Sequence, residues 1–288
     1  MLSHAQPPCT GPTPWNQLEH PAVRQLAWAI GAPPIVERGL NLDWVNAETS
    51  RQWLEEFWGE LLALEVDPEP LVTALSAAGP LLGKRFEALL AWYFDRSPNW
   101  TVHVANGVVE RGGQTQGEVD FIVESADGEI WHVEVACKFY LAVPGSRGAW
   151  SDWRGLRVED TLERKAHKFH RQLQLRRSDW PVVDRKVAML KGWLFYPFKE
   201  LTKPHPPRGA AASAPSGWWL HADEVVRWDG LTALKTIPRW NWLMQVHEAG
   251  EEIPLPLKRG GVVAQAFHEG DQIKELSRGM VVPNQWPH

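Results

Sequence analysis

The rhythm of apolar and polar positions changes near residue 95. Before it the spacing is helical. From His20 to Ile30 the residues Val23, Leu26, Ala27 and Ile30 form one stripe, and Pro33-Pro34 ends it. Ala47 to Glu65 carries Trp53, Leu54, Phe57, Trp58, Leu61 and Leu62 on one side. Pro68 starts a shorter helix that reaches about Ala78, and Leu81 to Phe94 predicts another. After residue 95 the period falls to two. Trp100 to Ala105, Val119 to Val123 and Ile130 to Leu141 alternate as half-buried strands do. Asp160 to Arg177 returns to helical spacing, with Leu162, Ala166, Phe169 and Leu173 as its stripe. Lys186 to Phe198 reads as a long apolar strand and GWWL as a short one, while the last 60 residues have no clear rhythm.

This order predicts an α/β chain: a mixed central sheet flanked by helices, with a helical N-terminal subdomain. The boundaries it suggests are a flexible arm over 1–19, the helical subdomain over 20–80 and a core over 81–203. A low-complexity loop follows over 204–217, then the C-terminal part of the core and a tail over 218–288. Arg111 to Gly117 is glycine-rich and reads as a flexible lead into the strands that follow.

Composition narrows the possible functions. With 288 residues, 23% charged and 44% hydrophobic, the chain is neither disordered nor fibrous. No apolar run approaches the roughly 20 residues needed to cross a bilayer. The first residues also lack a basic segment followed by an apolar one, so a cytoplasmic, non-membrane protein is expected. Two cysteines, Cys9 and Cys137, are too few for a disulfide framework or a cysteine-rich zinc site. The net charge of −5 argues against general affinity for polyanions. Yet Gly145 to Arg177 holds nine Lys and Arg against four Asp and Glu, so one basic region sits on an acidic body. The eighteen tryptophans fall mostly at apolar-periodic positions and read as core rather than as a platform for a sugar.

The candidate chemistry lies in GEVDFIVESADGEIWHVEVACKFYL, Gly117 to Leu141. It reads as strand, tight turn, strand. A two-residue Asp127-Gly128 turn would put Asp120 and Glu134 on opposite faces. A three-residue Ala126-Asp127-Gly128 turn, with glycine in the left-handed position, pairs Phe121 with Val133 and sets Asp120 opposite Glu134. The second register matches apolar to apolar and is the one expected. Side chains facing each other in this way have Cβ atoms roughly 5 Å apart, and like charges there need something between them. A divalent cation with oxygen ligands fits. Lys138 stands two pairs further along that face, with Glu118 and His132 flanking the pair.

Asp, a hairpin turn, then Glu and Lys on one strand face resembles the PD-(D/E)XK nuclease superfamily, which has restriction-endonuclease-like folds. GKRFEALLAWYF matches the helix that precedes the sheet in that superfamily, through Glu87. The stretches HPAVRQLAWAI, GKRFEALL, EVACKFYL and GWLFYP also resemble a bacterial family of unknown function grouped with those nucleases. The resemblance covers roughly residues 20 to 200. It implies that Asp120 and Glu134 hold Mg²⁺ or Mn²⁺, that Lys138 handles water and phosphate charge, and that Glu87 meets the metal directly or through water. Two departures stand out: Ala136 occupies the usual Lys position, and Val119 replaces a Pro.

The superfamily places polar residues from the following helix near the site. Lys165 and Gln172, seven apart, are the candidates here, and Lys168 and Arg171, with Arg164, Arg176 and Arg177, are suited to phosphates. The expected partner is nucleic acid, DNA ahead of RNA; self-association is left open. A catalytically degenerate nucleic-acid-binding or scaffold protein on the same fold is the alternative, and an aromatic-rich ligand-binding module is a third.

Overall fold

In the computed structural model, which describes residues 13–198, 204–225, 234–244, 260–269 and 272–287, the two rhythms become helices and one sheet. The first part holds α1 (Pro21–Gly31), β1 (Asp43–Trp44), α2 (Ala47–Val66), α3 (Glu69–Ser76) and α4 (Leu82–Arg96). Then come β2 (Trp100–Arg111), β3 (Gln114–Ser125), β4 (Ile130–Ala142), β5 (Trp153–Arg154), α5 (Leu162–Gln172) and β6 (Arg185–Pro197). The rest forms β7 (Ser216–His221), α6 (Ala222–Val225), β8 (Leu234–Thr236), β9 (Gly261–Glu269) and β10 (Gln272–Val282).

Among the described residues all strands join one ten-stranded mixed sheet. Its main path is β2-β3-β4-β6-β7-β10-β9-β8, with β1 paired to β6 and β5 to β4. The steps from β4 through β6 and β7 to β10 are parallel, and the flanking ones are antiparallel. β6 is buried continuously from Val187 to Tyr196, as a central strand covered on both faces must be.

Helices cover both faces. On one, α1, α2 and α4 pack Leu26, Trp53, Phe57, Phe86 and Phe94 against Phe121, Val133, Val135 and Met189. The predicted helical subdomain therefore shares its core with the sheet. On the other, Ala166 and Phe169 of α5 and Leu173 just after it join Trp44, Trp153, Ala188 and Leu190. Asn46 caps α2 by accepting from the Thr49 amide at 2.8 Å, and Thr161 caps α5 by accepting from the Arg164 amide at 3.2 Å. Lys191 is fully buried beneath α1, donating to the carbonyls of Ile30 and Ala32 and, at 3.2 Å, to Ser50 Oγ. Burial pushes its amine well below the usual lysine range. Three acceptors, two carbonyls at the α1 C-terminus and the Ser50 hydroxyl of α2, oppose that shift, since only an ammonium can donate to all three.

Several expectations change. The glycine-rich lead is a hairpin tip: β2 and β3 run to Arg111 and Gln114 around Gly112 and Gly113, both with positive φ. Its polar residues are solvated on both faces, so no alternation marks them as strand. α5 ends at Gln172, short of Arg177. Residues 13–19 of the predicted arm are docked, with Trp15 and Leu18 buried; residues 1–12 lie outside the described residues. The weakly patterned C-terminal stretch supplies the β9–β10 pair. Twelve tryptophans are buried in the core, which removes the aromatic-platform reading for them. No described helix is long and apolar enough to cross a membrane.

Candidate active site

The turn between β3 and β4 fixes everything downstream of it. The Ser125 amide donates to the Glu129 carbonyl at 2.9 Å, and Gly128, with φ +82°, closes the bend with its amide on Ser125 O at 2.8 Å. The ladder then runs Glu124–Ile130, Val123–Trp131, Ile122–His132 and Phe121–Val133. It stops one step later, where Asp120 faces Glu134. There side chains take over from the backbone. The Asp120 amide donates to Glu134 Oε1 at 3.2 Å, and the Val135 amide donates to Asp120 Oδ2 at 2.8 Å. The two strands thus fork around a carboxyl pair.

Both acids are buried, Asp120 at 7% exposure and Glu134 at 0%. Burial raises the proton affinity of each, and for Asp120 the neighbouring Glu134 charge raises it further. A side-chain hydrogen bond with Asp120 works the other way at Glu134, so the pair is suited to sharing one proton. His132 Nε2 lies 2.8 Å from Glu134 Oε1. Burial, then the Lys186 charge, pushes this imidazole down to about 4, so the neutral ring donates from Nε2. Glu134 Oε2 is buried and accepts nothing.

That orphaned oxygen leaves the pair with a donor that a cation could take up. Two hard carboxylates with one free buried lone pair suit Mg²⁺ or Mn²⁺, which are commonly held by one or two carboxylates, with waters and substrate phosphates supplying the rest. Among the described residues no group of three His, Cys, Asp or Glu side chains forms a metal cage. Glu87, expected as a further contact, sits on α4 with its carboxylate 2.7 Å from Lys84 Nζ; its charge is felt at Asp120. Lys84 also lies 4.0 Å from Glu118.

The lysine expected to reach back does something else. Lys138 Nζ is 2.6 Å from Asp160 Oδ2. Asp160 comes from the loop after β5, a partner that strand periodicity cannot reveal. α5 brings other cations to the pair. Gln172 Nε2 donates to the Glu118 carbonyl at 3.0 Å and so pins one flank of α5 two residues from Asp120. Lys165 lies seven residues earlier on that flank, its ammonium 3.9 Å from the Phe169 ring centroid, and its charge acts on both carboxyls. The Lys168 charge acts on Glu134.

Lys165 and Lys168 also line a cleft of about 430 Å³, with Lys138, Arg157, Arg164 and Arg171 against Glu159 and Asp160. A second hollow of about 420 Å³, formed by Arg164, His167, His170 and Arg171, shares two of those arginines. Together they make a cationic track along α5. Of the residues that sequence reasoning grouped with the pair, Gln172 binds the Glu118 carbonyl, the Lys165 and Lys168 charges act on the carboxyls, and Arg171 lines the cleft beside those lysines. Sequence reasoning missed Asp160 and Arg157, and it named His132 only as a flank, although a spacing of two from Glu134 was the available signal.

No curated protein and no solved structure matches the chain. The strand fork, its turn and α5 all lie within residues 24–272, the stretch matched by the model of the family described as Domain of unknown function (DUF1853), and the chain belongs to that family.

Proposed function

We propose that this protein is a metal-dependent nuclease that hydrolyses phosphodiester bonds in nucleic acid, built on a restriction-endonuclease-like arrangement of sheet and helices. The observation that carries the reading is the buried Asp120–Glu134 pair at a strand fork, under the charge of Lys165 and Lys168, which line a cleft together with Arg157, Arg164 and Arg171. A lone carboxyl pair is costly to bury, and a basic cleft by itself is common. Side by side they match what phosphodiester hydrolysis requires: a place for a divalent cation and a place for the charged backbone.

Asp120 and Glu134 would hold Mg²⁺ or Mn²⁺, which when bound lowers the pKa of a water and polarises a phosphoryl oxygen. The chain's own residues do the rest. His132 donates to Glu134 Oε1 and so directs Oε2 away from the imidazole. The Val135 amide fixes Asp120. Lys168 and Arg171 line the cleft where adjacent phosphates would lie, and Gln172 holds α5 to β3.

Incubation of the protein with labelled duplex DNA, single-stranded DNA and RNA in Mn²⁺ tests this directly. Cleavage that chelator abolishes, and that Asp120→Asn and Glu134→Gln both lose while binding persists, is the expected result. Metal-dependent cleavage that survives both substitutions would refute the site. Binding of nucleic acid with no cleavage under any divalent cation supports instead a degenerate, binding-only protein. The anchoring of Lys138 on Asp160 favours that second reading.

A further inference from the structure

We propose that Lys165 on α5, rather than Lys138 on β4, supplies the ammonium that faces the scissile phosphate. The inference rests on the nuclease reading above and assigns one more catalytic residue to it.

Three observations meet at Lys165. The first is vacancy on the strand: Ala136, two residues after Glu134, carries no polar group, and the Lys138 ammonium is already paired with Asp160 at 2.6 Å. The second is placement. Gln172 fixes one flank of α5 to the Glu118 carbonyl, and Lys165 sits seven residues back on that flank, about 10 Å along the helix axis by the usual rise. Leu175, just past α5, lies against Gly117, so the chain running back from Gln172 toward Lys165 moves away from Gly117 and Glu118. The side chain is held by its contact with the Phe169 face at 3.9 Å. Its charge acts on both Asp120 and Glu134. The third is availability. Among the described residues no hydrogen bond or ion pair occupies the Lys165 ammonium, and it lines the cationic cleft. Arg164, by contrast, donates to the Glu159 carbonyl at 2.7 Å.

Burial, then the nearby Lys168 charge, lowers the Lys165 pKa to about 8. The group stays cationic at neutral pH, yet its long stem is desolvated, which strengthens its pull on an oxyanion. In hydrolysis a water oxygen forms a bond to phosphorus and the bond from phosphorus to the leaving oxygen breaks, its electron pair going with that oxygen. One water proton ends in solvent and a solvent proton ends on the leaving group. Lys165 exchanges no proton in this scheme. Its charge offsets the negative charge that builds on the phosphoryl oxygens.

The test uses the full-length protein, Mn²⁺, a labelled duplex, and the near-isosteric Lys165→Met beside Lys138→Met. Single-turnover cleavage should fall by about 100-fold in Lys165→Met, the cost typical of removing one oxyanion donor. The loss in Lys138→Met should be smaller. Calorimetry with Mn²⁺ alone gives a readout without catalysis. Removing a cation that acts on both carboxyls should tighten Mn²⁺ binding by at least about threefold in Lys165→Met, with a smaller change in Lys138→Met, whose charge Asp160 offsets. Cleavage that falls more in Lys138→Met than in Lys165→Met, or Mn²⁺ affinity unchanged by Lys165→Met, overturns the assignment. A wild type that cuts nothing fails in a different lane: it sinks the nuclease reading itself.

Discussion

Asp120 and Glu134 replace a rung of the β3–β4 ladder with each other: the amide of Asp120 binds the Glu134 carboxyl, while the Asp120 carboxyl binds the amide just after Glu134. Each acid is therefore held by backbone that the other strand supplies. Their geometry is fixed before any ligand arrives, at the expense of two buried, mutually repelling groups. Glu134→Gln should relieve that repulsion. The expected outcome is a melting temperature equal to or above that of the wild type without metal, together with Mn²⁺ affinity reduced at least about tenfold. Thermal melts with and without Mn²⁺ check both halves.

The same pair dictates a pH dependence. Burial pushes both carboxyls up to about 7, from the ordinary carboxylate range near 4. The folded state then keeps protons that the unfolded chain releases, so this contribution is full below pH 4 and is lost as pH rises toward 7. His132, pushed down to about 4, works in the opposite sense: its contribution is present above about pH 6.5 and is lost as pH falls. Comparison with an Asp120→Asn/Glu134→Gln double variant isolates the pair. In chelator the wild type should weaken relative to the double variant between about pH 4 and 7, and excess Mn²⁺ should reverse the trend. Parallel stability curves for the two proteins would rule out the buried pair as the source.

Lys168 and Arg171 line the cleft as exposed point charges, so their effect on duplex binding should be electrostatic. Each alanine substitution should weaken binding and make the slope of log K against log salt shallower by about 1. Fluorescence anisotropy over a salt series measures it. An unchanged slope in both variants places the nucleic acid elsewhere.

Gly192 offers a purely structural test beside the site. It pairs with Lys138 across β4 and β6, has φ +139°, and a Cβ there would lie 1.7 Å from the Lys138 carbonyl oxygen. Backbone cannot yield as a side-chain tip can. Gly192→Ala should therefore destabilise the protein by more than about 3 kcal/mol or prevent folding. Urea titration reads the loss. Gly83, around which a Cβ meets nothing within 4 Å, is the matched control.

The carboxyl pair was legible in the sequence because one short turn decides it. Of the two turns that Asp127-Gly128 allows, only the three-residue Ala126-Asp127-Gly128 bend matches Phe121 to Val133, and the acids follow. The α5 flank was legible for a similar reason: a spacing of seven keeps Lys165 and Gln172 together whatever the helix packs against. Lys138 was read differently because its partner, Asp160, arrives from a loop 22 residues on, and no periodicity links them. The hairpin tip over Arg111 to Gly117 escaped notice because both of its faces meet water. The β9–β10 pair escaped because its pairing with β7 spans a long sequence separation.

The position of β10 has a consequence for how the molecule is made. It lies between β7 and β9, joining the parallel run to the antiparallel β9–β8 edge. A ribosome must therefore deliver residues as late as Val282 before that half of the sheet can close. Until then the open side of β7, with Trp218 and Leu220, waits for a neighbour, and assembly is governed by the slow closure of a large loop rather than by local turns. Nascent chains halted ahead of β10 should present this unfilled slot to chaperones, even with the carboxyl fork already formed.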